Sequence, residues 1–301
     1  MAIPAISPYS MPMASDLPKN KVSWKVDPKR SVLLIHDMQQ YFLNAYTPGQ
    51  SPMIELLENI KLLKKQCIEL GIPVVYTAQP GAQAPGERGL LTDFWGPGLS
   101  DDANQTKIVD EVEPSEVDTV LTKWRYSAFK RTNLMEIMKE KGRDQLIICG
   151  IYAHIGCLLT ASDAFMQDIE TLFVCDAVAD FSLENHKMTM NYVANNCAVA
   201  TTTTLLLDEL NSVKRSSNEA VAKANSKVLS LQLVREQVAE LLCELSSDID
   251  DNEDLIDRGL DSIRIMSLVE AWRFTRADIT FVKLARVPTI SAWWNLLSSS
   301  K

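Results

Sequence analysis

From about residue 30 to 210 the chain alternates two hydrophobic patterns. One is a short, nearly continuous apolar run: SVLLIHD at 31–37, PVVYTA at 73–78, DTVLTK at 118–123, QLIICGI at 145–151 and TLFVCDA at 171–177. A strand with one wet face would alternate apolar and polar residues. These runs do not, which predicts strands covered on both faces. The other pattern is helical, as in SPMIELLENIKLLKKQCIEL and TNLMEIMKEKGR. Strand then helix, repeated, predicts an α/β domain with a mainly parallel sheet and helices on both faces. Ligands of such sheets lie beyond the carboxyl ends of the strands. That rule gathers Asp37, Gln79, Lys123 and the segment GIYAHIG (150–156) at one edge, although they are far apart in the chain.

Near residue 212 the texture changes. NSVKRSSNEAVAKANSK has little to bury and reads as a linker over 213–228. It separates a first domain, 1–212, from a second, 229–301; the first begins with a Pro- and Ser-rich stretch, 1–22, that reads as an extended arm. The second domain reads as a small all-α bundle: the amphipathic LQLVREQVAELLCEL, an acidic loop, then GLDSIRIMSLVEAWR. In the last segment Ile265, Leu268, Val269 and Trp272 fall at i, i+3, i+4 and i+7, one core face of a helix. Ser262 stands at that helix's first turn, where a serine is ordinarily a cap. Ile263 and Met266 lie off the core stripe, and Phe281 and Ala285, at i and i+4 of the next short helix, could join Met266 in an exposed apolar patch for a protein partner.

Composition narrows the function. A formal charge of −9 argues against nucleic acid or an anionic membrane as partner. No apolar run is long enough to span a bilayer and the N-terminus lacks a basic-then-apolar signal, so a cytoplasmic setting is expected. The 6 cysteines are unpaired in spacing and mostly sit in apolar runs, as reduced buried thiols do.

Two resemblances sharpen this reading. LIDRGLDSIRIMSL resembles the phosphopantetheine attachment motif of acyl, peptidyl and aryl carrier proteins, which implies that the Ser262 hydroxyl takes a covalent 4'-phosphopantetheine arm. A phosphodiester there would meet free helix N–H groups and the positive end of the helix dipole. IHDMQQYF, LTKWRYSAF and GIYAHIGCLLTASDAF together resemble the isochorismatase-like hydrolases, a family that includes nicotinamidases and related cysteine amidases; the likeness covers roughly residues 20–210. The amidases work with an Asp, a Lys and a Cys that opens a helix.

Register decides whether Cys157 is that nucleophile. The amidase pattern is Gly, five residues, Cys, three residues, Thr-Ala; counted from Gly150 or back from Thr160-Ala161, the position is Gly156. Cys157 is its neighbour, and a helix turns about 100° per residue, so its thiol should point elsewhere. Amide hydrolysis through a thioester needs a thiolate; hydrolysis of a vinyl ether needs an acid that protonates carbon. The resemblance therefore implies an isochorismatase, which splits isochorismate into pyruvate and 2,3-dihydro-2,3-dihydroxybenzoate, with Asp37 as proton donor, Lys123 positioning it and the substrate, and Gly156 leaving room for the ligand. It also places Gln79, Arg88 and Tyr152 at the substrate, Phe42 and Trp95 as apolar walls, and a non-proline cis peptide at Ile151–Tyr152. Zinc-binding family members use histidines that this chain lacks: its 3 are His36, His154 and His186, none within 79–95, so no metal is expected.

Across both halves the chain resembles the bifunctional isochorismatase/aryl carrier proteins of catecholate-siderophore synthesis, with a vibriobactin-type line as the expected setting. The partners implied are a phosphopantetheinyl transferase, a 2,3-dihydroxybenzoate-AMP ligase, a condensation protein and a second copy of the chain. The alternatives are a cysteine amidase using Cys157 and a carrier scaffold with an inactive first domain.

Overall fold

The computed structural model describes residues 3–213, 230–273 and 278–298. The chain separates into two compact units, Met1–Val213 and Lys214–Lys301. Nearly all of the expected linker, 213–228, lies outside the described residues.

The first unit is built on six strands: β1 (Ser31–His36), β2 (Val74–Ala78), β3 (Thr119–Thr122), β4 (Gln145–Ile151), β5 (Glu170–Ala179) and β6 (Val199–Thr201). Their order is β3-β2-β1-β4-β5-β6, and every pairing is parallel. Leu33 and Ile35 enter one apolar cluster while Val32 and Leu34 enter another on the opposite face. Both sides of each central strand are thus covered, which is why the sequence shows runs without alternation. The strand the pattern did not announce is β6, only three residues long and followed by threonines.

Helices α1 (Met53–Glu69), α2 (Leu134–Glu140), α3 (Leu158–Phe165) and α4 (Leu183–Asn196) connect the strands, and a fifth, α5 (203–213), follows β6. Each begins near a polar or loop residue; α4, for example, is capped by Ser182, whose hydroxyl accepts from Asn185 N–H at 3.2 Å. The order of strands reverses between β1 and β4, so the crossovers on either side diverge there and leave a crevice at the carboxyl ends.

The N-terminal stretch is extended, but it is also packed down. Ile6 and Met11 are buried, Ile6 N–H donates to the Ala45 carbonyl at 2.7 Å, and the Tyr9 hydroxyl accepts from Asp180 N–H at 2.8 Å. The apolar residues spaced through this arm give it a face to bury.

The second unit is helical: α6 (Leu231–Leu242), α7 (Ser262–Arg273), α8 (Phe281–Arg286) and α9 (Ile290–Ser298). Ile265, Leu268, Val269 and Trp272, the stripe read from the sequence, are all buried. Trp272 meets Trp293 edge-on at 5.7 Å, and each indole N–H is satisfied, by Gln237 and by the Leu284 carbonyl. Among the described residues no helix is long and apolar enough to cross a membrane.

Candidate active site and carrier serine

Asp37 follows β1 directly, in a left-handed backbone conformation (φ 48°). Its N–H is tied to Thr77 of β2, and the carboxylate completes the pairing: Oδ1 accepts from Thr77 Oγ1 at 2.6 Å, and Oδ2 from Gln79 Nε2 at 3.2 Å and Lys123 Nζ at 2.9 Å. Lys123 comes from the end of β3, where its N–H donates to the Ala78 carbonyl and its ammonium also donates to Arg125 O at 2.8 Å. The ends of three neighbouring strands thus converge on one carboxylate. With Asp37 5% and Lys123 2% exposed, the pair is out of water, where charge pairing is strong. Burial opposes ionisation of Asp37, but the Lys123 ammonium, His36 and the Thr77 bond outweigh it and hold the carboxyl below its ordinary value.

The pair opens into a cavity of about 620 Å³, measured to include its mouth, lined also by Gln79, Arg88, Tyr152 and Gly156, with Phe42 and Trp95 in its walls. The structure therefore brings all eight of the sequence-derived pocket residues to one place. Arg88 is the least expected in its environment. It is only 4% exposed; its Nε donates to Gly96 O, and its Nη1 is buried without a hydrogen-bond partner among the described residues. Its guanidinium lies on Gly98 (φ 81°), where a Cβ would collide with it. A buried cationic donor left unpaired is costly.

Around the loop after β4, the Ile151–Tyr152 peptide is cis. The Tyr152 hydroxyl donates to the Phe42 carbonyl at 2.8 Å, which turns its ring toward the cavity. Residues Ala153–Cys157 form a π-turn leading into α3. Cys157 does not line the cavity; it is fully buried in the apolar cluster on one face of the sheet, and burial pushes its thiol well above the ordinary value. A thiol so placed is not the nucleophile of this pocket.

Gly156 has a neighbour that the sequence did not announce. It lines the cavity, but a Cβ on it would point at the His36 imidazole, 2.8 and 2.9 Å from the two ring nitrogens, well inside van der Waals contact. The absence of a Cβ at 156 makes room for the histidine ring. Burial pulls His36 down to about 4, so it is neutral at physiological pH.

Sequence reasoning missed Phe181, Tyr126 and Ile3. Phe181 stands just past β5, 4.4 Å from Tyr152 and 5.8 Å from Trp95 by ring centroids, and Tyr126 accepts from the Trp95 indole at 2.7 Å. The rule that singled out Asp37, a residue at a strand's carboxyl end, also applies to Phe181. Nothing local marks Ile3, which reaches the cavity only because the arm folds back.

His36 and Asp37 make stability depend on pH. Unfolded, an imidazole titrates near 6.5; folded, His36 does so at about 4. The unfolded chain alone takes that proton between these values, so stability is full above about 6.5 and falls by about 3 kcal/mol on going to 4. His186, also buried and pulled down, acts in the same sense. Asp37 adds a loss lower still, as pH falls through its depressed value. Thermal unfolding across pH 4–7 should show the midpoint falling with acid, less steeply in a His36→Val variant.

In the second unit, the Asp261 carboxylate, accepting from Arg264 N–H at 2.9 Å, caps α7. Ser262 is exposed at the first helical position, and its hydroxyl has no hydrogen-bond partner among the described residues. It is free for modification. Of the patch residues, Met266 is 47% exposed, beside Ile263 at 82%; Phe281 packs partly against the core and Ala285 is half-buried. Val282 is the exposed apolar residue of α8.

A parallel sheet with a buried carboxylate–ammonium pair at its switch point, sharing a cavity with an arginine whose Nη1 has no partner among the described residues, defines an α/β protein with a polar site at the carboxyl ends of its strands. Comparison with known proteins agrees. Residues 31–204 match the family model "Isochorismatase domain", and 232–297 match "Phosphopantetheine attachment site". The chain is 60% identical over 300 residues to the isochorismatase of Bacillus subtilis, covering 99% of this chain and 96% of that one. It is 47% identical over 298 residues to enterobactin synthase component B of Escherichia coli K12, with 99% of both covered. A solved cysteine hydrolase from Pseudomonas syringae shares the fold at 19% identity, with a TM-score of 0.59 over 65% of this chain and 98% of that one. The chain belongs to the isochorismatase family, joined to a phosphopantetheine carrier domain.

Proposed function

We propose that the first unit hydrolyses the vinyl ether of isochorismate, giving pyruvate and 2,3-dihydro-2,3-dihydroxybenzoate, and that the second carries the 2,3-dihydroxybenzoyl group in siderophore synthesis. The observation that carries the reading is the buried Asp37–Lys123 pair sharing a cavity with the unpaired Arg88 guanidinium and no thiol. A carboxylate of the dianionic substrate takes the place of the missing partner at Arg88, and Gln79 and Tyr152 complete its surroundings. Binding a second anion beside Asp37 and closing out water both raise that residue's proton affinity. Protonated Asp37 gives its proton to the terminal methylene carbon, and the electron pair of the double bond forms the new C–H bond. Water adds to the resulting oxocarbenium carbon and returns a proton to Asp37. The hemiketal then collapses, breaking the ether bond and leaving the diol and pyruvate. Lys123 holds Asp37 in place and balances negative charge as it returns.

Ser262 is the attachment point for 4'-phosphopantetheine, whose thiol, when present, holds the aryl group as a thioester. The exposed, unbonded hydroxyl at a helix start already capped by Asp261 fits that group. The partners are those of a catecholate assembly line: a phosphopantetheinyl transferase, a 2,3-dihydroxybenzoate-AMP ligase and a condensation protein reached through the face bearing Met266, with a homo-oligomer formed by the hydrolase unit. Release of pyruvate from isochorismate, measured with lactate dehydrogenase, tests the first half; no release sinks it. The narrower reading, a vibriobactin line, is tested by identifying the siderophore that the reconstituted line produces.

Arg88→Met should raise KM for isochorismate by about 10- to 100-fold, the worth of one charge-assisted contact, while kcat falls less. Because the variant removes a buried cation whose Nη1 has no partner among the described residues, and with it the Nε bond to Gly96 O, the two effects offset and the unfolding midpoint should stay nearly level. A variant with lowered stability and unchanged KM would assign Arg88 a structural role instead.

A further inference from the structure

The His36 ring is fully buried at the end of β1. Nδ1 lies 2.9 Å from the Ile151 carbonyl, to which it donates, and Nε2 faces Thr160 Oγ1 at 3.4 Å. That hydroxyl already accepts from Ala128 N–H, which leaves its proton for Nε2. Both nitrogens are engaged and the ring cannot swing to solvent. It sits 3.8 Å from Asp37 Oδ1 and fills the volume into which a side chain at position 156 would grow.

We propose that His36 is a positioning and specificity-determining residue: its imidazole occupies the side-chain place of residue 156, braces Asp37, and so closes that position to any group that could attack substrate covalently. His36 and Gly156 are then a coupled pair. With His36 in place a side chain at 156 has no room, and the exclusion is built of a ring carried on β1 and pinned from β4 and α3 rather than of empty space. The packing part of this proposal stands without the substrate assigned above; its chemical consequence rests on that assignment.

A cycle of Gly156→Cys, His36→Val and the double variant tests it, with Gly156→Ala supplying the same Cβ in a smaller side chain should the cysteine variant not fold. Unfolding is followed without substrate. In the parent, Gly156→Ala or Gly156→Cys should lower the midpoint by about 5 °C or more through overpacking. On the His36→Val background the same change should be neutral or stabilising, since the new side chain enters the vacated space. Equal losses on both backgrounds would overturn the proposal. Iodoacetamide labelling of the double variant, mapped by peptide mass with exposed Cys243 as internal reference and buried Cys157 as the unreactive one, reports where the new thiol points. Labelling at 156 that slows when Lys123 is changed to Met supports a slot abutting the Asp37–Lys123 pair; a thiol as inert as Cys157 counts against it. With Gly156 intact, His36→Val should lower kcat for isochorismate about tenfold and change KM less than twofold, and an unchanged kcat removes the bracing role. Absence of pyruvate release by the parent protein would defeat the substrate assignment and leave the unfolding cycle unaffected.

Discussion

Asp37→Asn is expected to lower kcat for isochorismate by about 10³-fold or more, within the range that general acid catalysis contributes or beyond it, and to leave KM nearly unchanged. Asparagine keeps the shape of the side chain and can accept from Thr77 as Oδ1 does. Its amide N–H₂, however, cannot deliver a proton to carbon. It also meets the Lys123 ammonium donor to donor, leaving that cation with the Arg125 and Tyr126 carbonyls alone. Loss of one partner of a buried pair costs about 3 kcal/mol, so the midpoint should drop while circular dichroism still shows a folded chain. The pH profile gives an independent reading. The free enzyme holds Asp37 ionised, so kcat/KM should fall as pH rises, approaching tenfold per unit. With substrate bound the proton affinity is raised, so the falling limb of kcat should lie at higher pH than that of kcat/KM. A rising profile, or an Asn variant with normal rates, would remove Asp37 from the chemistry.

Ser262→Ala should abolish loading: after incubation with a phosphopantetheinyl transferase and coenzyme A, mass spectrometry should show the added group on the parent and none on the variant. Hydrolysis should be untouched. Stability should also hold to within about 0.5 kcal/mol, because the hydroxyl makes no bond among the described residues and α7 is capped by the residue before it. Asp261→Ala is the counterpart and should cost about 1 kcal/mol as the cap is lost. Modification persisting in Ser262→Ala would put the attachment elsewhere.

Both experiments address residues that stood out in the sequence, by their place in the pattern and by the resemblance that each place supports. Asp37 and Lys123 end apolar runs that had to be strands, and parallel sheets put strand ends on one edge. Ser262 opens a helix whose core stripe was unambiguous, within a stretch that resembles the carrier motif. Arg88 shows where that kind of reading stops. A glycine-rich loop announces neither the burial of its arginine nor the Nη1 left without a partner; those follow from Gly96 and Gly98 folding under the guanidinium. Ile3 was hidden for a related reason, since it reaches the cavity from a segment with no periodic pattern of its own.

What the sequence by itself determined is what periodicity carries, a doubly covered parallel sheet, a helical second unit and the chemistry-bearing residues at one edge, and what its resemblance to the amidase pattern implies, a glycine rather than Cys157 at the nucleophile position. Tertiary structure alone decided what occupies the space above that glycine, because close packing is a contest between residues distant in the chain. His36 and Gly156 are brought together only when β1 and the turn into α3 meet, and no local pattern encodes that contact.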